Sequence, residues 1–424
     1  MSPEVPQVDR EAGMLVYVSP GDRYPGRIRA SKQDFRVDEI FDVSLIDKDK
    51  KQGYVPVYSL TKSGLDTPHA VKGLSEALKS NVNFAGMKDS DAVTTQYVSA
   101  RSTRADDPET VTGRGFDARR VGYLPRPINR GMIAGNAFRI VVRSESNLTP
   151  QVEVVFELCK SRKLPNFFGY QRFGLRSMVN QKVGKAIVLR NFKQAVETLC
   201  GEPRRDEGEE ASEARTLFRK GEYRQSQRLF SPLRQDIERR VSGRLAQKPG
   251  DYFGAFRSIP IIPRRLLVQS YQSYLFNLTL SGAVSEGFDI SRARPSDNWA
   301  ELTHGGLRVG RVHGVKEALP ESGETVPLIQ LVGYAHRDYG SRFDRVLQRV
   351  LEEEGVRPSS FYLKEAEEVS SEGGFRQAPL LAGDLVESPV EGGVLLGFSL
   401  GKGEYATTLL RELLKPEDPA SSGF

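Results

Sequence analysis

The sequence predicts an α+β protein in which strand-rich ends flank a helix-rich middle. Three observations carry that prediction. The chain has 424 residues, and at about 150 residues per domain this suggests two or three domains. Apolar residues alternate with period two in several stretches before residue 144, and strand-like text returns after Leu381. Between Pro165 and about residue 290, helical spacing dominates.

In chain order, RIRASKQDFRVDEIF (27–41) reads as a strand with Phe35, Val37 and Glu39 on one face and Asp34, Arg36 and Asp38 on the other. GLDTPHAVKGLSEALKS reads as a helix, with Thr67 as cap, Pro68 at the first position and Val71, Leu74 and Leu78 on one face. NVNFAGM is a short strand, KDSDA a turn, and VTTQYVSA a second strand, so Lys88 and Asp89 lie in a loop between strands, where scaffolds display chemistry. Residues 107–130 read as a loop-rich arginine segment. GNAFRIVVR (135–143) is a strand with Phe138, Ile140 and Val142 on one side. QVEVVFELCKSRKLPNFF is helical up to Pro165, and a second helical run extends from about Gln181 to Leu199. The charged stretch 201–230 reads as an irregular or solvent-facing helical excursion. SIPIIPRRLLVQSYQSYLFNLTL begins as a loop and becomes helical; 290–345 reads as short strands, and QRVLEEEG as a helix end. From Leu381 the pattern is strands followed by a helix, in which Leu409/Leu413 and Leu410/Leu414 are four apart.

Composition narrows the chemistry. No segment approaches the roughly 20 apolar residues needed to cross a bilayer, and the first residues lack the apolar stretch of a secretory signal, so a cytoplasmic location is expected. Cys159 and Cys200 sit in apolar, helix-like text and are expected as buried thiols. His69, His304, His313 and His336 are scattered without metal-ligand spacing, and neither GxxxxGK[ST] nor a helix-opening GxGxxG occurs. Neither a metal nor a nucleotide cofactor is expected. The net charge of +6 suits nucleic acid without requiring it. More telling are three arginine clusters interleaved with aromatic or apolar residues, at 119–131, 169–176 and 262–274. Arginine beside aromatics is how proteins meet phosphates and unstacked bases together.

Several separated stretches then converge: DFRVDE (34–39), GMKDSDAVTTQ (86–96), GNAFRI (135–140), NFFGYQRFG (166–174), YQSYLFN (271–277) and FSLGKGEYATTLLREL (398–413). In order and spacing they resemble the tRNA pseudouridine synthase D family, in its longer archaeal form, along essentially the whole chain. The chain departs from that pattern at Gly401, where proline is expected, and at Glu404, where a small hydroxyl residue is usual.

The resemblance implies a discontinuous catalytic domain, 1–164 with 381–424, built on a mixed, mainly antiparallel sheet. A family-specific α/β domain, 165–380, is inserted into it, and RNA lies in the cleft between the two. The implied activity turns a tRNA uridine, at position 13 in the D-arm, into pseudouridine, by a monomeric enzyme without cofactor. Asp89 matches the family's catalytic aspartate; it must stay ionised in a cleft that excludes water, so a cation is needed beside it, either Lys88 or an arginine of the clusters. Phe138 matches the ring that packs on the flipped uracil, while its alternation also suits a core position; Phe35 is a candidate second wall. Asn136 is placed to hydrogen-bond the loop or the substrate, Gln171 and Arg172 to make polar contacts near the domain junction, and Arg172 to pair with Asp89 or with phosphate. Gln96 is expected to hold the loop, Asp91 to be structural, Gln272 and Asn277 to tie a helix to a loop, and Tyr405, Thr407 and Arg411 to buttress the catalytic domain. Two other readings compete: an RNA-binding or chaperone protein that keeps the fold without catalysis, and a glycosidase with paired carboxylates, for which Asp91 or Glu39 would be the second acid. The presence of Asp89, Lys88 and Phe138 together favours the isomerase.

Overall fold

A computed structural model describes residues 3–101, 107–205, 207–232, 235–303, 308–321 and 323–424; His304 and residue 206 of the charged stretch lie outside them. The first strands follow the alternation seen in sequence. β1 (Phe35–Phe41) buries Phe35, Val37, Glu39 and Phe41. It is followed by β2 (Val55–Ser63), β3 (Val82–Phe84), β4 (Val93–Ala100), β5 (Thr110–Gly113), β6 (Phe116–Leu124) and β7 (Ile133–Arg143). Much later come β8 (Asn298–Thr303), β9 (Arg308–His313), β10 (Thr325–Leu331), β11 (Gly374–Gln377), β12 (Ala382–Val390) and β13 (Gly393–Gly401).

The large sheet has nine strands, in the order β12-β13-β7-β1-β4-β2-β6-β5, with β3 also on β4. Only the β1–β4 pair is parallel. A second, antiparallel sheet runs β11-β10-β8-β9. Both ends of the chain therefore share one mixed sheet, as the resemblance implied.

The helices are α1 (Gln7–Glu11), α2 (Thr67–Leu78), α3 (Thr149–Lys160), α4 (Asn180–Val188), α5 (Phe192–Gly201), α6 (Glu209–Arg219), α7 (Tyr223–Leu229), α8 (Asp236–Gln247), α9 (Tyr252–Arg257), α10 (Ile261–Ser285), α11 (Arg342–Glu354) and α12 (Ala406–Leu414). Two cores result. Phe35, Phe138, Ile140, Phe398 and Leu400 of the sheet pack with α3 and α12, whereas α4, α5, α8 and α9 share a second cluster. The 25-residue α10 serves both, giving Phe276 and Leu280 to the first and Leu267 and Tyr271 to the second. Among the described residues no helix is long and apolar enough to cross a membrane.

Three local expectations are corrected. Residues 107–130 hold β5 and β6 rather than a loop; Gly115, at φ +81°, makes the tight turn between them. The run 181–199 is two helices, broken where Arg190 adopts φ +60° and Asn191 caps α5 by accepting from the Gln194 N–H. Asp66, not Thr67, caps α2, accepting from the His69 N–H. The charged stretch follows the helical of its two readings, folding into α6 and α7, with Arg215 buried between Glu207 and Glu238. Cys159 and Cys200 are buried and unpaired, as expected.

Candidate active site

The parallel pairing of β1 with β4 brings two distant loops together. Its register sets Arg36 beside Val93, so the residues that precede each strand meet at the same end of the sheet. Arg29 precedes β1 and Asp89 precedes β4. Arg29 Nη2 donates to Asp89 Oδ2 at 3.0 Å, with the arginine side chain 7 % exposed and the carboxylate 50 % exposed. The guanidinium also lies 3.8 Å from the centre of the Phe35 ring, and its Nη1 donates to the Gly423 carbonyl at 2.8 Å. Burial lowers Arg29 from its ordinary pKa, and Asp89 opposes that shift.

The cation beside Asp89 is therefore Arg29, which the sequence reading passed over. Lys88 turns the other way: its Nζ donates to Glu39 Oε1 at 2.9 Å, while Glu39 Oε2 accepts the Tyr97 N–H. Arg172 does not reach Asp89; its guanidinium lies over the Phe168 ring, 5.5 Å from the centre, and its carbonyl accepts from Ser270 Oγ. The parallel register was the missing signal, because the local text around Arg29 resembles that around Arg27 and Arg36.

The 88–89 turn is clamped from below. Buried Lys62 donates to the carbonyls of Asp89 (2.7 Å) and Lys88 (3.3 Å). The Lys88 N–H donates to Thr67 Oγ1, whose hydroxyl donates to Gln96 Oε1, both at 3.0 Å. Gln96 holds the loop, as expected, and Thr67 is the link between them.

A cleft of about 200 Å³ opens over this turn, lined by Phe35, Val37, Asn136, Phe138 and Gln171 as well as by Arg29 and Asp89. Phe138 sits across the strands between Val37 and Phe398. Its ring stacks on Phe398 at 5.3 Å and meets Phe35 edge-on at 6.4 Å. It is thus both core and wall, as is Phe35, which joins the same core cluster. Asn136 Oδ1 is buried without a hydrogen-bond partner in the wall of this cleft.

The opposite wall is Glu404, Tyr405, Ala406 and Thr407. Tyr405, which packs on Phe168, and buried Thr407, both expected as buttresses, also line the cleft, while Arg411 is buried on Asp9 at 2.6 Å. Gly169 carries ordinary extended dihedrals, and its role is close approach: a Cβ there would lie 2.7 Å from Thr407 Oγ1. Gly174, at φ +78°, is the true turn glycine of NFFGYQRFG. Asn277 ties α10 to this segment, accepting the Phe168 N–H and donating to the Phe168 carbonyl.

Of the arginine clusters, 119–131 presents Arg119, Arg126 and Arg130 to solvent. Arg264 and Arg265 of the third cluster instead bond Glu368, through its carboxylate and its carbonyl.

A half-exposed carboxylate, steadied by a buried guanidinium over Phe35, beside a cleft on a mixed sheet that both ends of the chain build, is the arrangement of an enzyme's active site. The model of the tRNA pseudouridine synthase D (TruD) family matches residues 11–413. Proteins named tRNA pseudouridine synthase D are 32% identical in Pyrococcus furiosus, over 95% of this chain and 98% of that protein. In Methanopyrus kandleri the identity is 35%, over 85% of this chain and 86% of that protein. The crystal structure of such a protein from Methanosarcina mazei superposes with a TM-score of 0.77 at 29% identity, covering 98% of this chain and 99% of that one. The chain belongs to the tRNA pseudouridine synthase D family.

Proposed function

We propose that this chain isomerises a uridine of tRNA, at position 13 in the D-arm, to pseudouridine, with Asp89 as the catalytic carboxylate. The bond from C1′ to N1 breaks, the uracil turns, and C1′ bonds to C5; C5 gives up its proton and N1 takes one up. The sum is an isomerisation, so neither oxidant nor energy source enters. The step calls for one ionised carboxylate within reach of the sugar or the base. The observation that carries the reading is the Arg29–Asp89 pair at the mouth of the cleft floored by Phe138. Half-exposed Asp89 remains accessible to a substrate, and buried Arg29 holds it in place through one hydrogen bond.

In this reading the target base leaves its stack and enters the cleft whose wall includes Phe35 and Phe138, and Asn136 offers its unpartnered oxygen to a ring N–H. Gln171 meets the base from the rim, where the Thr407 hydroxyl lies 3.4 Å from its Oε1. Lys88 and Arg172 shape the site from behind. Residues 1–164 and 381–424 act as the catalytic domain and 165–380 as the inserted one, in a monomeric, cytoplasmic enzyme. The exposed arginines of the 119–131 cluster support phosphate contacts.

The test is to incubate the protein with unmodified tRNA transcripts and to map pseudouridine by chemical labelling and primer extension, beside Asp89→Ala. One D-arm stop that vanishes in the variant is the expected result. If the wild type binds RNA and gives no product, the chain is a binding protein of this fold; if both proteins give product, Asp89 is a turn residue.

A further inference from the structure

Glu404 is the residue in the cleft wall that the reaction does not use. It is 7 % exposed and accepts three hydrogen bonds. Oε1 takes the Gln377 side-chain amide at 3.0 Å and the Leu381 N–H at 2.9 Å; Oε2 takes the Gly401 N–H at 2.7 Å. The last bond exists because residue 401 is not proline, which carries no N–H. The two places where the chain departs from the family pattern are therefore the two ends of one hydrogen bond.

The partners of Glu404 span the junction between the halves of the fold. Gln377 ends β11 of the small sheet, Leu381 precedes β12 of the large one, and Pro165 bridges to Pro379 between them. Next to Gln377, Arg376 donates to the Asn166 side chain (2.6 Å) and carbonyl (3.2 Å) and to the Gly403 carbonyl (2.9 Å). The loop 401–405 is thus gripped at Gly401, Gly403 and Glu404, and the next residues, Tyr405 to Thr407, form the cleft wall.

We propose that Glu404 is a positioning residue: its ionised carboxylate, paired with the Gly401 N–H, holds the Tyr405–Thr407 wall at the distance from Asp89 that the reaction needs. The inference rests on the function proposed above. Protonation weakens the grip, since a neutral carboxyl is a poorer acceptor for three N–H donors than a carboxylate. Burial pushes the Glu404 pKa up to about 7, against the pull of its N–H donors and of Arg376. The ionisable groups that face it are Arg376 from β11, Cys159 from α3 (whose thiol burial, helped by Glu404, pushes up to about 12) and Tyr405 from its own loop. Glu39, Lys88, Arg130 and Lys402 line the adjoining cavity, and Arg29 and Asp89 line the cleft with it.

The experiment is the single-turnover rate on saturating tRNA from pH 5.5 to 9, for wild type, Glu404→Gln and the double variant Gly401→Pro/Glu404→Ser. Glutamine copies the protonated form. The wild-type rate is expected to rise by about tenfold through a midpoint near the Glu404 value of about 7. Glu404→Gln should stay at the low level throughout, with tRNA affinity changed less than about twofold. The double variant, which removes the titrating acid together with its Gly401 N–H partner, should be pH-independent over that range. A wild-type rate and pH limb in Glu404→Gln overturns the proposal. Should that variant not fold, as judged by circular dichroism, a limb that persists in the double variant overturns it equally. An inactive wild type would instead refute the function itself, and the two failures are therefore distinct.

Discussion

Asp89 and Glu404 line the same cleft in opposite surroundings: one keeps half its side chain in solvent with a single buried guanidinium beside it, the other is sunk among three N–H donors. The difference separates what each can do. A carboxylate with free lone pairs and an open face can touch substrate, whereas one whose acceptor sites are taken by the backbone can only hold the wall still. The Asp89 turn is itself held by groups that never face the cleft, Lys62 and Thr67 among them, so both loops follow one rule: the reacting group is left free and its surroundings are fixed.

The comparison breaks hardest at Arg29. Replacing it with alanine leaves Asp89 without its cation and removes the guanidinium from Phe35, and the single-turnover rate should fall by about 100-fold or more with tRNA affinity nearly unchanged. Filter binding beside the rate assay checks both halves, and a rate loss under tenfold would mean that the pair is incidental.

Phe138→Leu comes next. It trims a ring that is both wall and core, so unfolding stability should drop by about 1–2 kcal/mol while the rate falls by about tenfold. Urea titration and the rate assay separate the two effects, because Phe398→Leu, in the same stack behind the wall, should cost stability with a smaller loss of rate.

Glu404 sharpens the contrast through pH. Its folded pKa of about 7 lies above the ordinary 4.5, so the folded state keeps a proton that the unfolded chain has released. Stability from this group is full below pH 4.5 and declines as pH rises to about 7, by about 3 kcal/mol in all. Urea midpoints at pH 5 and pH 7.5 should therefore diverge in the wild type and converge in Glu404→Ser; equal divergence in both would assign the slope to other groups. The smallest effect is expected at Lys62→Met, which releases two loop carbonyls but no cleft atom, and slows the reaction about threefold.

Much of this arrangement was legible in the sequence. Alternation located β1, β4 and β7 and the inward faces of Phe35 and Phe138, and the ordered motifs located the Asp89 turn. Four things were not. The cation of Asp89 depends on a parallel strand register, which no local pattern encodes. Residues 107–130 hid two strands behind their arginines, since a strand exposed on one face tolerates charge there. The break after Val188 followed from a left-handed Arg190 and the Asn191 cap, and the helical spacing continues across it. Gly401 and Glu404 stood out only as departures; their shared hydrogen bond needed coordinates.

The strand order has a consequence for synthesis. β7 pairs with β1 on one side and with β13 on the other, and Arg143 at its end lies 248 residues before Glu391, which it meets through its side chain. At roughly 5–20 residues per second a ribosome takes about 12–50 s to cover that distance. Throughout that interval the nascent chain carries a long apolar strand with one unpaired edge, next to the cleft it will later floor. Until β13 is made, that free edge is a template on which another chain can pair, so the second half of synthesis is the stage at which this fold is most exposed to aggregation.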